Sequence, residues 1–221
     1  MSSPRSSSTL LTLHAVRLAG FADEEALADR ALLSLDEIRA VLEDAVRADE
    51  VETMSFADAR GWLLTELGRS RLAALLQDQV TAAEAQDVVA TTKAAFEQPD
   101  GINERFVEVV PRWQLRSTAP TQGPAGADEA EEVDALLTEL EKLGRRLRSL
   151  LVELIAHLPR FERYPAQYDA AVHRARTDGL GWVTGVGILS CHALWAELHQ
   201  DLRSTAGGDR PAEPENRGER R

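Results

Sequence analysis

Apolar residues recur along this chain in three rhythms. Between Leu10 and Val46 they fall at helical spacing in three short runs. Leu10, Leu11, Leu13, Val16 and Leu18 end at Gly20 and predict a first helix with a glycine stop. Asp23, ahead of Glu24 and Glu25, is an N-cap for a second helix, about Glu24–Ala31, that buries Ala26, Leu27 and Ala31. Ser34, with Glu37 three residues on, makes a capping box for a third, from Leu35 to about Ala48. Its apolar stripe is Leu35, Ile38, Val41, Leu42, Ala45 and Val46. Over Val51–Thr53 and Gly61–Leu64 the rhythm shortens to alternation and predicts a β-hairpin, with Met54–Arg60 as its tip. Thr65 then caps a helix whose apolar positions at 67, 72, 75, 76, 80, 83, 88, 89, 95 and 96 predict one long element from about Glu66 to Glu97.

Beyond the turn Pro99-Asp100-Gly101 the pattern stays helical. Ile102–Val110 is a short segment that Pro111 should stop, and Ser117–Ala127 reads as an exposed loop. A second long helix opens at Asp128 or Glu129 and ends before Pro159. Val133, Leu136, Leu140, Leu143, Leu147, Leu150 and Leu154 step by threes and fours, the third rhythm: a heptad seam that suits either a bundle or a dimer. Phe161, Tyr164, Tyr168, Ala171, Val172 and Ala175 predict a helix beginning near Pro165. Gly179, Gly181, Gly185 and Gly187 surround Trp182 as a joint, and a last helix runs from about Ile188 to Thr205. The expected organisation is therefore mainly α. A tail over 1–9 precedes a three-helix and hairpin domain over 10–67, an α-helical bundle domain over 68–205, and a second tail over 206–221.

No apolar run reaches the ~20 residues of a membrane span, so no membrane partner is expected. The single Cys191 excludes an internal disulfide and fits a reducing cytoplasm. The net charge of −12 bears on partners more directly. Over Met1–Val80 eight arginines face fourteen acidic residues, a balance of −6. Binding duplex DNA rests on neutralising phosphates, so this balance argues against it unless a basic edge is segregated from the acidic body.

The order helix, helix, helix, hairpin, helix is that of a winged helix, in which the second and third helices form a helix-turn-helix. From Leu10 to Leu76 the chain resembles the multiple-antibiotic-resistance-regulator-like (MarR-like) winged helices of bacteria. Leu64-Thr65-Glu66-Leu67-Gly68-Arg69 is similar to that family's Leu-Thr-x-x-Gly-Arg. Three phrases also resemble a group of actinobacterial proteins labelled as such regulators: Leu13–Ala22, Trp113-Gln114 and His192–Leu202. The resemblance implies a dimeric cytoplasmic transcriptional regulator that binds duplex DNA, with the helical segments serving the homodimer and effector sensing. An alternative is an adaptor without enzyme activity whose winged helix binds a protein partner, for example a phosphoenolpyruvate-utilising enzyme.

In the DNA reading Arg39 and Arg47 on the third helix, Arg60 on the wing and Arg69 after it supply the cations. Trp113, Tyr164, Trp182, His192, Trp195 and His199 are candidates to line an apolar effector pocket, against the plainer reading of an aromatic core. His192 and His199 lie seven residues apart on one helix face, without the closer spacing of a zinc site, so no metal is expected. Cys191 and His192 are helix neighbours pointing about 100° apart and cannot form a nucleophile–base pair. No phosphate loop or nucleophile elbow occurs, so neither a catalytic residue nor a cofactor is expected.

Overall fold

The structure is a computed structural model that describes residues 6–56, 59–117 and 127–207, with side chains over 6–55, 59–111 and 130–207. The tip of the hairpin at 57 and 58, most of the expected loop, residues 1–5 and residues 208–221 lie outside the described residues, while Ser8 and Thr9 of the expected first tail already belong to a helix. Two compact units emerge, one centred on Ser7–Thr81 and one on Ala82–Leu202.

The first unit opens with α1 (Ser8–Ala19), α2 (Glu24–Ala31) and α3 (Leu35–Arg47). α2 and α3 start at the caps their sequence predicts, and α1 starts at Ser7, which accepts from the Leu10 amide at 3.2 Å. Asp23 accepts from the Ala26 amide at 2.9 Å, and Ser34 and Glu37 close a complete capping box. Gly20 ends α1 at φ 71°, a left-handed value that glycine adopts without a Cβ penalty. The ribbon follows: β1 (Val51–Phe56) pairs antiparallel with β2 (Ala59–Leu64), Val51 opposite Leu64 and Ser55 opposite Arg60. It is longer than the alternation suggested, so Met54, Ser55 and Arg60 are paired strand residues and not tip residues. β2 gains a third neighbour at one point, where the Trp62 amide donates to the Ala22 carbonyl at 2.9 Å.

The core of this unit joins Leu13, Leu27, Ile38 and Leu42 to Val51 and Leu64 of the ribbon. Val46 does not join it: it is 49% exposed, because the inward face of α3 is completed by Ile38, Leu42 and Ala45.

α4 (Glu66–Ala82) belongs to this unit, since Leu72 and Leu76 enter the same core. The expected long helix is in fact two. α4 stops, Glu84 takes φ 50°, and α5 (Gln86–Glu97) starts afresh. The buried positions give the reason. Leu72, Leu76 and Val80 keep one phase, while Ala85, Val89, Thr92 and Phe96 keep another, and a left-handed residue between them resets the phase. The boundary expected near residue 67 therefore falls at Thr81.

The second unit contains α5, α6 (Ile102–Ser117), α7 (Ala127–His157), a 3-10 turn (Pro159–Glu162), α8 (Arg163–Thr177), the short α9 (Gly181–Thr184) and most of α10 (Cys191–Thr205). α6 continues through Pro111 where a stop was expected. Pro111 is exposed, so the carbonyl its ring leaves without a donor can turn to water. The leucine seam of α7 is used inside the chain: Leu136, Leu140, Leu143, Leu147 and Leu154 are buried where α7 packs on α5, α6 and α8. Among the described residues no helix is long and apolar enough to cross a membrane.

Candidate nucleic-acid interface

Three residues, Leu32–Ser34, join α2 to α3, and Leu32 turns the chain by taking the left-handed conformation at φ 53°. The inward face of α3 is fixed by Ile38, Leu42 and Ala45. Its outward face, left exposed, carries Asp36, Glu37, Arg39, Ala40, Glu43, Asp44, Val46 and Arg47. That is two positive charges among four negative ones.

Both cations already have carboxylate partners. Arg39 Nε donates to Glu24 Oε2 at 2.7 Å, and this hydrogen bond raises the guanidinium further above its ordinary value. Arg47 pairs with Asp44 one turn earlier on the same helix. Each arginine stays half or more exposed, at 49% and 70% of the side chain. Such exposed pairs are weak and exchange readily for another anion. Arg60 stands exposed on β2 with no ion pair among the described residues.

Arg69 is placed differently. Its Nη1 donates to the Leu64 carbonyl at 2.9 Å, and its Nε and Nη2 donate to Glu66 Oε2 at 3.0 and 2.7 Å. It also lines a cavity of about 600 Å³ along α4, together with Arg17, Leu72, Ala73 and Leu76. So Arg39 and Arg47 share one helix face, with Arg60 on the neighbouring ribbon, whereas Arg69 is engaged at the root of that ribbon.

The expected effector-pocket residues lie in the second unit, where Tyr164 and Trp195 are buried, Trp182 and His199 half-buried and His192 exposed. Trp195 stacks on Phe106 with centroids 4.2 Å apart and planes 4° from parallel, and its indole N–H donates to Asn103 at 3.0 Å. Tyr164 is buried, and burial pushes its phenol well above the ordinary value. His199 Nε2 lies 2.9 Å from Glu97 Oε1, and Arg174 stacks on Trp182 at 4.5 Å. His192 is exposed, and the Trp113 side chain lies outside the described residues. None of the five described lines the cavity along α4. Burial pushes the Cys191 thiol up to about 12, so it stays protonated at neutral pH. Among the described residues no group of His, Cys, Asp and Glu is placed to hold a metal ion.

Sequence reasoning missed a buried polar network in this unit. Arg160 Nη1 donates to Asp201 Oδ1 at 2.5 Å, and Arg163 Nη2 donates to Glu197 Oε2 at 2.9 Å. The Tyr164 hydroxyl links them, accepting from Arg163 at 2.9 Å and donating to Asp201 Oδ2 at 2.8 Å. The signal was present: Arg160 and Arg163 at i, i+3 in one apolar stretch match Glu197 and Asp201 at i, i+4 in another.

Comparison of the chain with protein-family models, with curated proteins and with solved structures gave no match.

Proposed function

We propose that the first unit is a winged helix of the MarR-like type and that the protein is a transcriptional regulator engaging duplex DNA through α3 and the ribbon as its wing. One observation carries this reading: the outer face of α3 is exposed and presents Arg39 and Arg47, with Arg60 exposed on the ribbon beside it. A helix held by one apolar face, with its other face free beside a β-ribbon, is what a major groove and its flanking phosphates require. The arginines can exchange their exposed carboxylates for phosphate at small cost. The four carboxylates that remain on α3 keep affinity low and leave few phosphates neutralised. With three cations available, log K should fall against log salt with a slope no steeper than about −3.

The test is a gel shift at low salt with the DNA upstream of the protein's own coding sequence. A retarded band is expected, and Arg39→Glu with Arg47→Glu should abolish it; a shift unchanged by both would remove α3 from the contact.

A second reading is favoured by the charge of α3 itself. Its outer face is net negative, with both arginines already paired, which suits a protein surface better than a polyanion. In that reading the protein is an adaptor without enzyme activity. Absence of any shift at low salt, with a defined protein co-purifying and lost on mutating Glu43 and Asp44, would favour it.

A further inference from the structure

The sequence assigned Arg69 to phosphate, and the geometry points elsewhere. We infer that Arg69 is a positioning residue that latches the exit of the ribbon onto the first turn of α4, and that it makes no phosphate contact. The second half of this statement rests on the DNA reading above; the first half does not.

The chain leaves β2 at Leu64 and enters α4 at Glu66, so Thr65 alone makes the corner. Side chains hold that corner from two sides. On one side Thr65 does the work: its amide donates to the Glu50 carbonyl at 3.1 Å and its hydroxyl to the Asp49 carbonyl at 2.7 Å. The same hydroxyl accepts from the Gly68 amide at 3.0 Å, so it caps α4 while tying it to the end of α3. On the other side Arg69 reaches back, with Nη1 on the Leu64 carbonyl. Glu66 braces the guanidinium through Nε and Nη2, using the rigid fork that arginine has and lysine lacks.

The face on which Arg69 sits agrees. Arg69, Leu72, Ala73 and Leu76 are at i, i+3, i+4 and i+7, one stripe of α4, and all four line the same cavity. Leu72 and Leu76 of that stripe are in the core with Leu13 of α1. Arg69, its side chain half exposed, stands one turn before the buried Leu72 on that stripe. The run Leu64-Thr65-x-x-Gly68-Arg69 therefore has a mechanical meaning: carbonyl, cap, close approach and latch.

Two measurements on the full chain test this. Amide hydrogen exchange should show the ribbon loosening in Arg69→Gln, with exchange at the Trp62 amide, bonded to Ala22, faster by about fivefold or more. Leu13 and Val16 in α1 should be unaffected and serve as the control for an intact fold. Arg69→Lys keeps the charge but cannot span both acceptors, so it should show a smaller acceleration. Unchanged Trp62 exchange in both variants would overturn the latch.

The second measurement is the salt dependence of duplex binding. A positioning residue shifts the line of log K against log salt without tilting it; a phosphate contact lowers the slope by about 0.9. A tilt of that size in Arg69→Gln would overturn the inference. Should the native chain bind no duplex, the DNA reading falls, and the exchange experiment still decides whether Arg69 holds the ribbon.

Discussion

A methyl group on Gly68 would sit 1.9 Å from the carbonyl oxygen of Glu50, where nothing but backbone can give way. Gly68→Ala should therefore lower unfolding free energy by about 2–3 kcal/mol, read from the urea midpoint. Gly61 makes a contrast. Its missing methyl would meet only the Phe21 ring, itself 37% exposed and able to swing away, so Gly61→Ala should cost less than about 1 kcal/mol. A second prediction at this scale concerns Glu97. The hydrogen bond from Lys93 Nζ at 2.5 Å, helped by His199, holds its carboxyl below the ordinary value. A folded-state value lower than the unfolded one means stability that is present above the unfolded value, about 4.3, and lost as pH falls through the folded one. At neutral pH the native protein should be more stable than Glu97→Gln, and the gap should close on acidification below about pH 4.5. Urea unfolding of both proteins across that range measures it; a gap that persists in acid would mean the carboxylate is not the stabilising form.

At the scale of elements, the network of Arg160, Arg163, Tyr164, Glu197 and Asp201 pins the 3-10 turn and α8 to α10 within the second unit. Asp201→Ala takes a buried carboxylate from both Arg160 and Tyr164, so it should cost about 3–5 kcal/mol. Arg160→Met combined with Asp201→Leu should recover most of that loss, because an apolar pair of similar volume avoids desolvating both ions. A double-mutant cycle by chemical denaturation gives both numbers. This network also marks the limit of what the chain discloses as a sequence. Caps, the stops at Gly20 and Ala31, and the α7 seam are local patterns, and each was legible because the residues that decide it lie within one helical turn or repeat. The break at Glu84 was not: Ala82-Ala83-Glu84-Ala85 favours helix, and only the change of buried phase across it forces the turn. The same divide runs through the candidate interface. The pairing of Arg47 with Asp44 follows from i, i+3 spacing, whereas that of Arg39 with Glu24 joins residues of two helices and needs the fold. The hydrogen bond from Arg69 to Leu64 was hidden for the same reason, since its acceptor is a backbone carbonyl that no pattern of side chains reveals.

For the molecule as a whole, the decisive element is α7, whose heptad seam admitted a helix bundle within one chain or a homodimer between two. Leu140, Leu143 and Leu147 are each no more than 2% exposed within a single chain. Tyr168 lies on the seam, its hydroxyl donating to the Leu140 carbonyl at 3.3 Å, and Gly144 leaves room for its ring. If the proposed regulator reads paired half-sites as a dimer, that homodimer needs a surface other than this seam. The two arrangements separate by mass action. If the seam is an internal core, Leu143→Ala removes about 2–5 kcal/mol by leaving a cavity, and the loss is the same at every protein concentration. If the seam joined two chains, the midpoint of the variant would climb with concentration as association compensated for the lost contact. Thermal unfolding of native and Leu143→Ala protein over a hundredfold range of concentration, alongside solution mass, should give a constant difference between their midpoints. A difference that narrows as concentration rises would place the seam between chains and return α7 to the dimer interface.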